Sequence, residues 1–244
     1  LDLHVDREDT VLAAAEKVQS KGGLDVLILN AGYGLMGALE DTTVDDIRAQ
    51  METNFLGAVS ATRALLPSLR ARSGRILVMS SAAGRAGIPY YAAYNASKFA
   101  MEGFFDALRY ELEADGIDVC LVEPGGFRTS AEPREAFVGK LFWNSPRNRA
   151  ANELFAANLK RQYGSGGDPL HVARLMLRLA RARSVPMRRP IGWDAWGLLF
   201  LKTFLPEFLF RKVFGWGFRR SMFSALPPKT GSPATHLPNV TDNR

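Results

Sequence analysis

Three short apolar runs, each ending in small polar or turn-forming residues, limit what this chain can fold into. They are Asp25-Val-Leu-Ile-Leu-Asn30, Arg75-Ile-Leu-Val-Met-Ser-Ser81 and Asp118-Val-Cys-Leu-Val-Glu123. Runs that stay apolar without alternating read as strands buried on both faces. Helical periodicity fills the gaps, roughly at 44–71 and 92–114. Strand, helix, strand, helix, strand predicts a parallel sheet with right-handed crossovers. The sequences Asn30-Ala31-Gly32, Ser80-Ser81 and Pro124-Gly125-Gly126-Phe127-Arg128-Thr129 then open on one edge of that sheet. Ligands of open α/β sheets bind outside such carboxyl ends.

The second helical segment carries Tyr94-Asn95-Ala96-Ser97-Lys98. A phenol and an ammonium four residues apart share one helix face. A phenol, with a reference pKa near ~10, is a poor base at neutral pH. A fixed neighbouring cation stabilises the phenolate and brings it toward the working range. Tyr and Lys also meet at this spacing by chance, as a packed ring beside a solvated amine. Ser81, thirteen residues upstream at a strand end, separates the catalytic reading from the chance one.

Asn30-Ala31-Gly32, Asn54 in Asn-Phe-Leu-Gly57, Ser81, Tyr94 with Lys98, and Pro124-Gly125 with Thr129 resemble the short-chain dehydrogenase/reductase family in order and spacing. The resemblance runs from the first residue to about 130. The stretch Asn30-Ala-Gly-Tyr-Gly-Leu-Met-Gly-Ala-Leu-Glu40 is similar to the subgroup of 17β-hydroxysteroid dehydrogenase type 1 and the retinol dehydrogenases. The family implies a Rossmann-like, doubly wound parallel sheet forming one domain. It also implies NAD or NADP as cofactor.

By that resemblance Tyr94 is the general acid/base, and Lys98 lowers the Tyr94 pKa and binds the nicotinamide ribose. Ser81 orients the substrate oxygen, and Asn54 holds a water that links Lys98 to solvent. Asn30, Ala31 and Gly32 line the adenine-ribose and diphosphate side, with Asp2 near the adenine amino group; Asp6 is the other acid in reach. Pro124 and Gly125 let the backbone pass close to the nicotinamide. Phe127 offers main-chain atoms to its carboxamide, and Thr129 adds a side-chain contact. The chemistry is consistent with these roles. Hydride belongs to the cofactor, and the protein supplies orientation and a proton path. A carbonyl accepting hydride develops alkoxide character that a Ser hydroxyl and a Tyr proton stabilise.

The sequence departs from the family in one respect. No glycine-rich turn joins a first strand to a helix, and Gly22-Gly23 precedes a strand instead of following one. Such a turn places a pyrophosphate on a helix N-terminus. We therefore expect an upstream βαβ unit of roughly 30 residues in the intact parent. The choice between NAD and NADP is read after the second strand of that unit.

The 244 residues suffice for one α/β domain with a sizeable core. The single cysteine, Cys120, lies in a strand run and reads as a buried structural thiol. One cysteine excludes an intrachain disulfide and fits a reducing, cytoplasmic location. His4, His171 and His236 show no metal-ligand spacing, so no metal is expected. The net charge of +6 accompanies no nucleic-acid-binding module, so nucleic acid is not an expected partner.

The expected layout is a dehydrogenase domain over 1–192, an aromatic and basic helical extension over 193–223, and a disordered tail over 224–244. Within the first unit, 130–167 is the expected substrate lid, with Phe137, Phe142, Trp143 and Phe155 suited to an apolar ligand. Asp168-Pro169 opens a helix to about Arg183, and a short edge strand follows near 185–191. The extension either caps the pocket and packs against another subunit, or lies in a membrane interface with its aromatics down. Both readings favour a small hydrophobic substrate (a sterol, retinoid or lipid alcohol) for an enzyme that is a homo-oligomer or peripheral to a membrane. Two rivals are an enzyme of the same fold acting on small polar carbonyls, and a non-catalytic cofactor-binding scaffold.

Overall fold

The computed structural model describes residues 3–128, 153–155, 157–158, 161 and 164–223. Four strands, β1 (Val26–Leu29), β2 (Arg75–Met79), β3 (Asp118–Pro124) and β4 (Arg188–Ile191), form one sheet in that order, and every pairing is parallel. The helices that pack around it include α1 (Glu8–Gln19), α2 (Val44–Met51), α3 (Gly57–Arg70), α4 (Ala92–Leu112), α5 (Pro169–Arg181), α6 (Trp193–Phe204) and α7 (Glu207–Phe223).

The apolar runs have a simple cause. Successive strand residues point to opposite faces, and here both faces are covered. Ile76, Val78, Val119 and Leu121 pack with Phe105 of α4 and Leu65 and Leu69 of α3. Leu77, Cys120 and Val122 face the other way, onto Leu175, Met176 and Leu179 of α5. The Cys120 thiol is fully buried, and burial pushes its pKa up to about 12. It is therefore a packing group and not a nucleophile.

Helix α4 positions the site. Its buried face repeats at Ala93, Ser97, Met101 and Phe105, an i, i+4 stripe that fixes its rotation on the sheet. That rotation turns Lys98, the neighbour of Ser97, inward as well. Asp168 caps α5 by accepting from the Leu170 amide, with Pro169 in the first turn.

Three boundaries differ from the sequence reading. The helix expected over 44–71 is interrupted at Glu52–Leu56 by a π-turn, and Asn54 sits in that turn. Helix α5 ends at Arg181 and the edge strand begins at Arg188, both within a few residues of expectation. Helix α1 was not anticipated; its Val11, Ala14 and Ala15 are buried and it packs on α3.

Candidate active site

Ser81 meets Pro124 at the carboxyl ends of β2 and β3, and Lys98 of α4 reaches the end of β2 with the Tyr94 ring beside it. Lys98 is 5% exposed. Its ammonium donates to the Met79 carbonyl at 2.7 Å and lies 5.7 Å from the centre of the Tyr94 ring. A cation at that range interacts with the aromatic face. Burial pulls the Lys98 pKa down to about 8, against the opposing pull of the Glu102 carboxylate. An ammonium carries three donors, so Met79 leaves capacity for a further acceptor.

Ser81 caps a short turn, Ala82–Gly84, by accepting from the Ala83 amide at 3.1 Å. Its hydroxyl points across to the Pro124 carbonyl at 3.4 Å, which ties the β2 and β3 ends together. Asn95, one residue past Tyr94, holds the same loop. Its amide donates to the carbonyls of Ala83 (2.6 Å) and Ala86 (2.9 Å) and accepts from the Ile88 amide (3.1 Å).

Asn54 is fully buried. It accepts from the Tyr33 amide at 2.9 Å, donates to the Tyr33 carbonyl at 2.9 Å, and donates to the Ser97 hydroxyl at 3.1 Å. Ser97 in turn donates to the Tyr94 carbonyl. The Asn54 amide thus links the loop after β1 to α4. Gln50, one turn earlier, clamps the same loop through the Tyr33 carbonyl and the Leu35 amide. Gly32 is where Asn54 approaches the chain: a Cβ there would lie 3.0 Å from Asn54 Oδ1. Asn30, Ala31 and Gly32 themselves are exposed at the strand end.

The Pro124–Gly126 turn is held by Asp194, from the first turn of α6. Its carboxylate accepts from the Gly126 amide at 2.6 Å and presses against Gly125, where a Cβ would collide with it. Phe127 forms an isolated parallel bridge with Gly167. Asp2 and Thr129 lie outside the described residues, as do Phe137, Phe142, Trp143 and the 224–244 tail. Of the expected lid aromatics, Phe155 is described and fully buried. It stacks on Tyr90 at 5.0 Å and meets Tyr91 edge-on at 6.0 Å. Together with Met36, Ile88, Phe218 and Met222 these rings form an apolar wall around Tyr94. Among the described residues no group of His, Cys, Asp and Glu could hold a metal ion.

A broad cleft of about 1350 Å³ lies beyond the turn, between α5, β4 and α6. Gly126, Phe127, Arg174, Arg178, Arg189 and Trp193 line it, whereas Ser81 and Tyr94 do not.

Behind the site, Glu123 of β3 is fully buried, and burial, reinforced by the nearby Glu102 charge, raises its pKa to about 7. The folded protein therefore holds this proton more tightly than the unfolded chain, whose carboxyl titrates near 4.5. The associated stability is full below the unfolded value and is lost as pH rises through about 7. Glu123→Gln is expected to be the more stable protein at pH 8, by about 1–2 kcal/mol or about 3–6 °C in Tm. Thermal melts of both proteins from pH 5 to 8 check this; parallel curves would contradict it.

The family model described as short chain dehydrogenase matches residues 1–136. The chain belongs to that family and is an oxidoreductase. It is 36% identical over 197 residues to the 3-ketodihydrosphingosine reductase of Bacteroides thetaiotaomicron, covering 79% of this chain and 72% of that protein. It is 42% identical over 148 residues to dehydrogenase/reductase SDR family member 7B of Mus musculus, covering 58% of this chain and 46% of that one. Among solved structures it is similar to a short-chain dehydrogenase from Streptomyces avermitilis, with a TM-score of 0.74 and 30% identity, covering 88% and 79% of the two chains. ElxO with NADP bound aligns with a TM-score of 0.64 and 27% identity over 81% of this chain and 77% of that one.

Proposed function

We propose that this protein interconverts a hydroxyl and a carbonyl group on a lipophilic substrate, using NAD or NADP and Tyr94 as general acid/base. The observation that carries this reading is the buried, backbone-anchored Lys98 beneath the Tyr94 ring, beside a strand end that presents Ser81. The exposed Asn30–Gly32 strand end and the open Pro124–Gly125 turn fit a cofactor laid along the carboxyl edge of the sheet. Lys98 and Tyr94 would hold its ribose, and Asn30, Ala31, Gly32, Pro124, Gly125 and Phe127 would line it. When bound, that cofactor supplies or accepts the hydride. Ser81 orients the substrate oxygen. Tyr94 gives its phenolic proton to that oxygen during reduction and takes it back during oxidation. Lys98 stabilises the phenolate left behind.

Two features favour a lipophilic substrate. The wall of Met36, Tyr90, Tyr91, Phe155, Phe218 and Met222 gives Tyr94 apolar surroundings. The name of the relative from Bacteroides thetaiotaomicron specifies a ketone on a long alkyl chain. Incubation with NADPH or NADH and a panel of ketones tests the reading. Reduction of long-chain or polycyclic ketones in preference to small polar ones is expected. Turnover of small polar ketones alone would favour the rival reading of a polar substrate.

Residues 1–192 carry the catalytic groups in this proposal, and 193–223 lends Asp194, Phe218 and Met222 to the site while exposing a further surface. Trp193, Trp196, Phe200 and Phe204 form one exposed stripe along α6, and Trp193 is 94% exposed. Phe208, Val213 and Trp216 extend it on α7 beside the exposed Arg211, Lys212, Arg219 and Arg220. Aromatics bordered by cations suit an anionic lipid interface. No helix among the described residues is long and apolar enough to cross a membrane, so the contact would be peripheral. Replacing Trp193, Phe200 and Phe204 with Ser is expected to cut sedimentation with phosphatidylglycerol vesicles about tenfold or more. Unchanged vesicle binding would refute the membrane contact, and a fall in sedimentation coefficient without vesicles would identify the face as a homo-oligomer contact.

A further inference from the structure

Glu123 has one carboxylate oxygen with long contacts and, among the described residues, another with none. Oε1 lies 3.5 Å from Arg85 Nη1 and 3.6 Å from Arg188 Nε. Oε2 is buried and has no hydrogen-bond partner among the described residues. The side chain is 0% exposed, in a position where an orphaned charge is costly. Its neighbours are better satisfied. Glu102 of α4 accepts from the Ser80 hydroxyl at 2.5 Å and from Arg188 Nε at 2.9 Å, and Arg188 also donates to Asp106 at 3.0 Å. Arg188 is thus committed mainly to α4, and Arg85, 36% exposed and already donating to Oε1 at 3.5 Å, is the other cation facing Glu123.

The groups around Glu123 come from each element that shapes the site. Arg85 closes the Ser81–Gly84 turn. Glu102 and Asp106 belong to α4, with Glu102 one turn beyond Lys98. Arg188 opens β4. Glu123 itself directly precedes Pro124, whose carbonyl receives the Ser81 hydroxyl. None of these contacts had a signal in the sequence.

We propose that Glu123 is a positioning residue: by losing and gaining a proton opposite Arg85, it sets how tightly the Ser81 loop is drawn against the Pro124–Gly125 turn. The role rests on the oxidoreductase reading of the site, but the movement does not. Loss of the proton leaves a buried carboxylate whose nearest mobile counter-charge is Arg85. Pulling Arg85 inward tightens the turn that presents Ser81. With the proton in place, Arg85 relaxes toward solvent and the loop loosens. The proton that raises or lowers the charge comes from and returns to solvent, and no other covalent bond changes. Burial and the Glu102 carboxylate place this exchange near neutral pH, at about 7.

Amide hydrogen exchange of the full chain, corrected for intrinsic rates, provides a test independent of activity. The Gly84 and Arg85 amides, bonded to the Ser81 and Ala82 carbonyls, should become about tenfold better protected between pH 6 and 8.5. That dependence should vanish in Glu123→Gln and in the surface variant Arg85→Gln. The NADPH dissociation constant, measured by fluorescence, should follow the same pH curve in the wild type and be flat in both variants. Protection that is independent of pH in the wild type, or equally dependent in Arg85→Gln, would overturn the proposal. Absence of NADPH binding alongside the expected exchange pattern would count against the oxidoreductase reading and leave the movement standing.

Discussion

Tyr94→Phe is expected to lower turnover by about 10²–10⁴-fold, the usual contribution of a positioned acid/base, while the fold remains intact. Removing the hydroxyl deletes the proton that the substrate oxygen must receive, and Ser81 alone cannot supply one without becoming an alkoxide. The ring itself stays useful, since it faces Lys98 and contributes to the Met36, Tyr91 and Phe155 cluster. Phe preserves those contacts, so the melting temperature should move by no more than a few degrees. Cofactor affinity should fall only by the ribose contact of the lost hydroxyl, because Lys98 keeps its anchor on Met79. Single-turnover kinetics with NADPH and a long-chain ketone measure the effect. A variant that keeps more than about a tenth of wild-type turnover would remove Tyr94 from the acid/base role.

Asn95→Ala is expected to be costly for a different reason. The Asn95 amide satisfies the carbonyls of Ala83 and Ala86 and the amide of Ile88, in a position 7% exposed. Truncation leaves three backbone groups without those partners. At about 1 kcal/mol or more for each buried group left unpaired, the loss comes to about 2–4 kcal/mol, or about 5–15 °C in Tm. These bonds hold the Ala82–Ala86 stretch against the start of α4, so Ser81 should lose its register with Tyr94. The variant should therefore also raise KM more than Tyr94→Phe does. Asn95→Asp keeps the acceptor for Ile88 but sets a carboxylate oxygen against the Ala83 and Ala86 carbonyls, so its Tm should be no higher than that of Asn95→Ala. A melting temperature within a degree or two of wild type would show that the loop is held by other contacts.

Part of the candidate site could be read from the sequence because Asn30–Gly32, Ser81 and Pro124–Gly125 follow strand runs. A run such as Arg75–Met79 can be buried on both faces only if helices cover both, and that alone implies a parallel sheet with one functional edge. Helical spacing places Tyr94 and Lys98 on one face, and their roles follow from the family resemblance; the edge strand follows from the Asp168-Pro169 helix start. The supporting residues could not be read this way. Asp194 reaches Gly126 across 68 positions, so no local pattern records the contact. Asn95 lies inside the Tyr94–Lys98 stretch, but its role depends on a loop 9 to 12 residues earlier. Asn54 was assigned to the middle of a long helix because its segment is apolar on one face. The π-turn at 52–56 arises from tertiary contacts that turn the Asn54 amide onto Tyr33 and Ser97. Glu123 looked like the polar end of a strand, and only the packing of Glu102, Arg85 and Arg188 around it reveals a buried titrating group.

The most direct test of the oxidoreductase assignment is isotopic. The protein is incubated with NADPH carrying deuterium at the transferable position and with a long-chain ketone, and the product is examined by mass spectrometry. The expected product is the alcohol with one deuterium at the former carbonyl carbon, formed by the wild type and not by Tyr94→Phe. Recovery of unreduced ketone from wild-type protein saturated with NADPH, across this and the other lipophilic ketones, would contradict the proposed function.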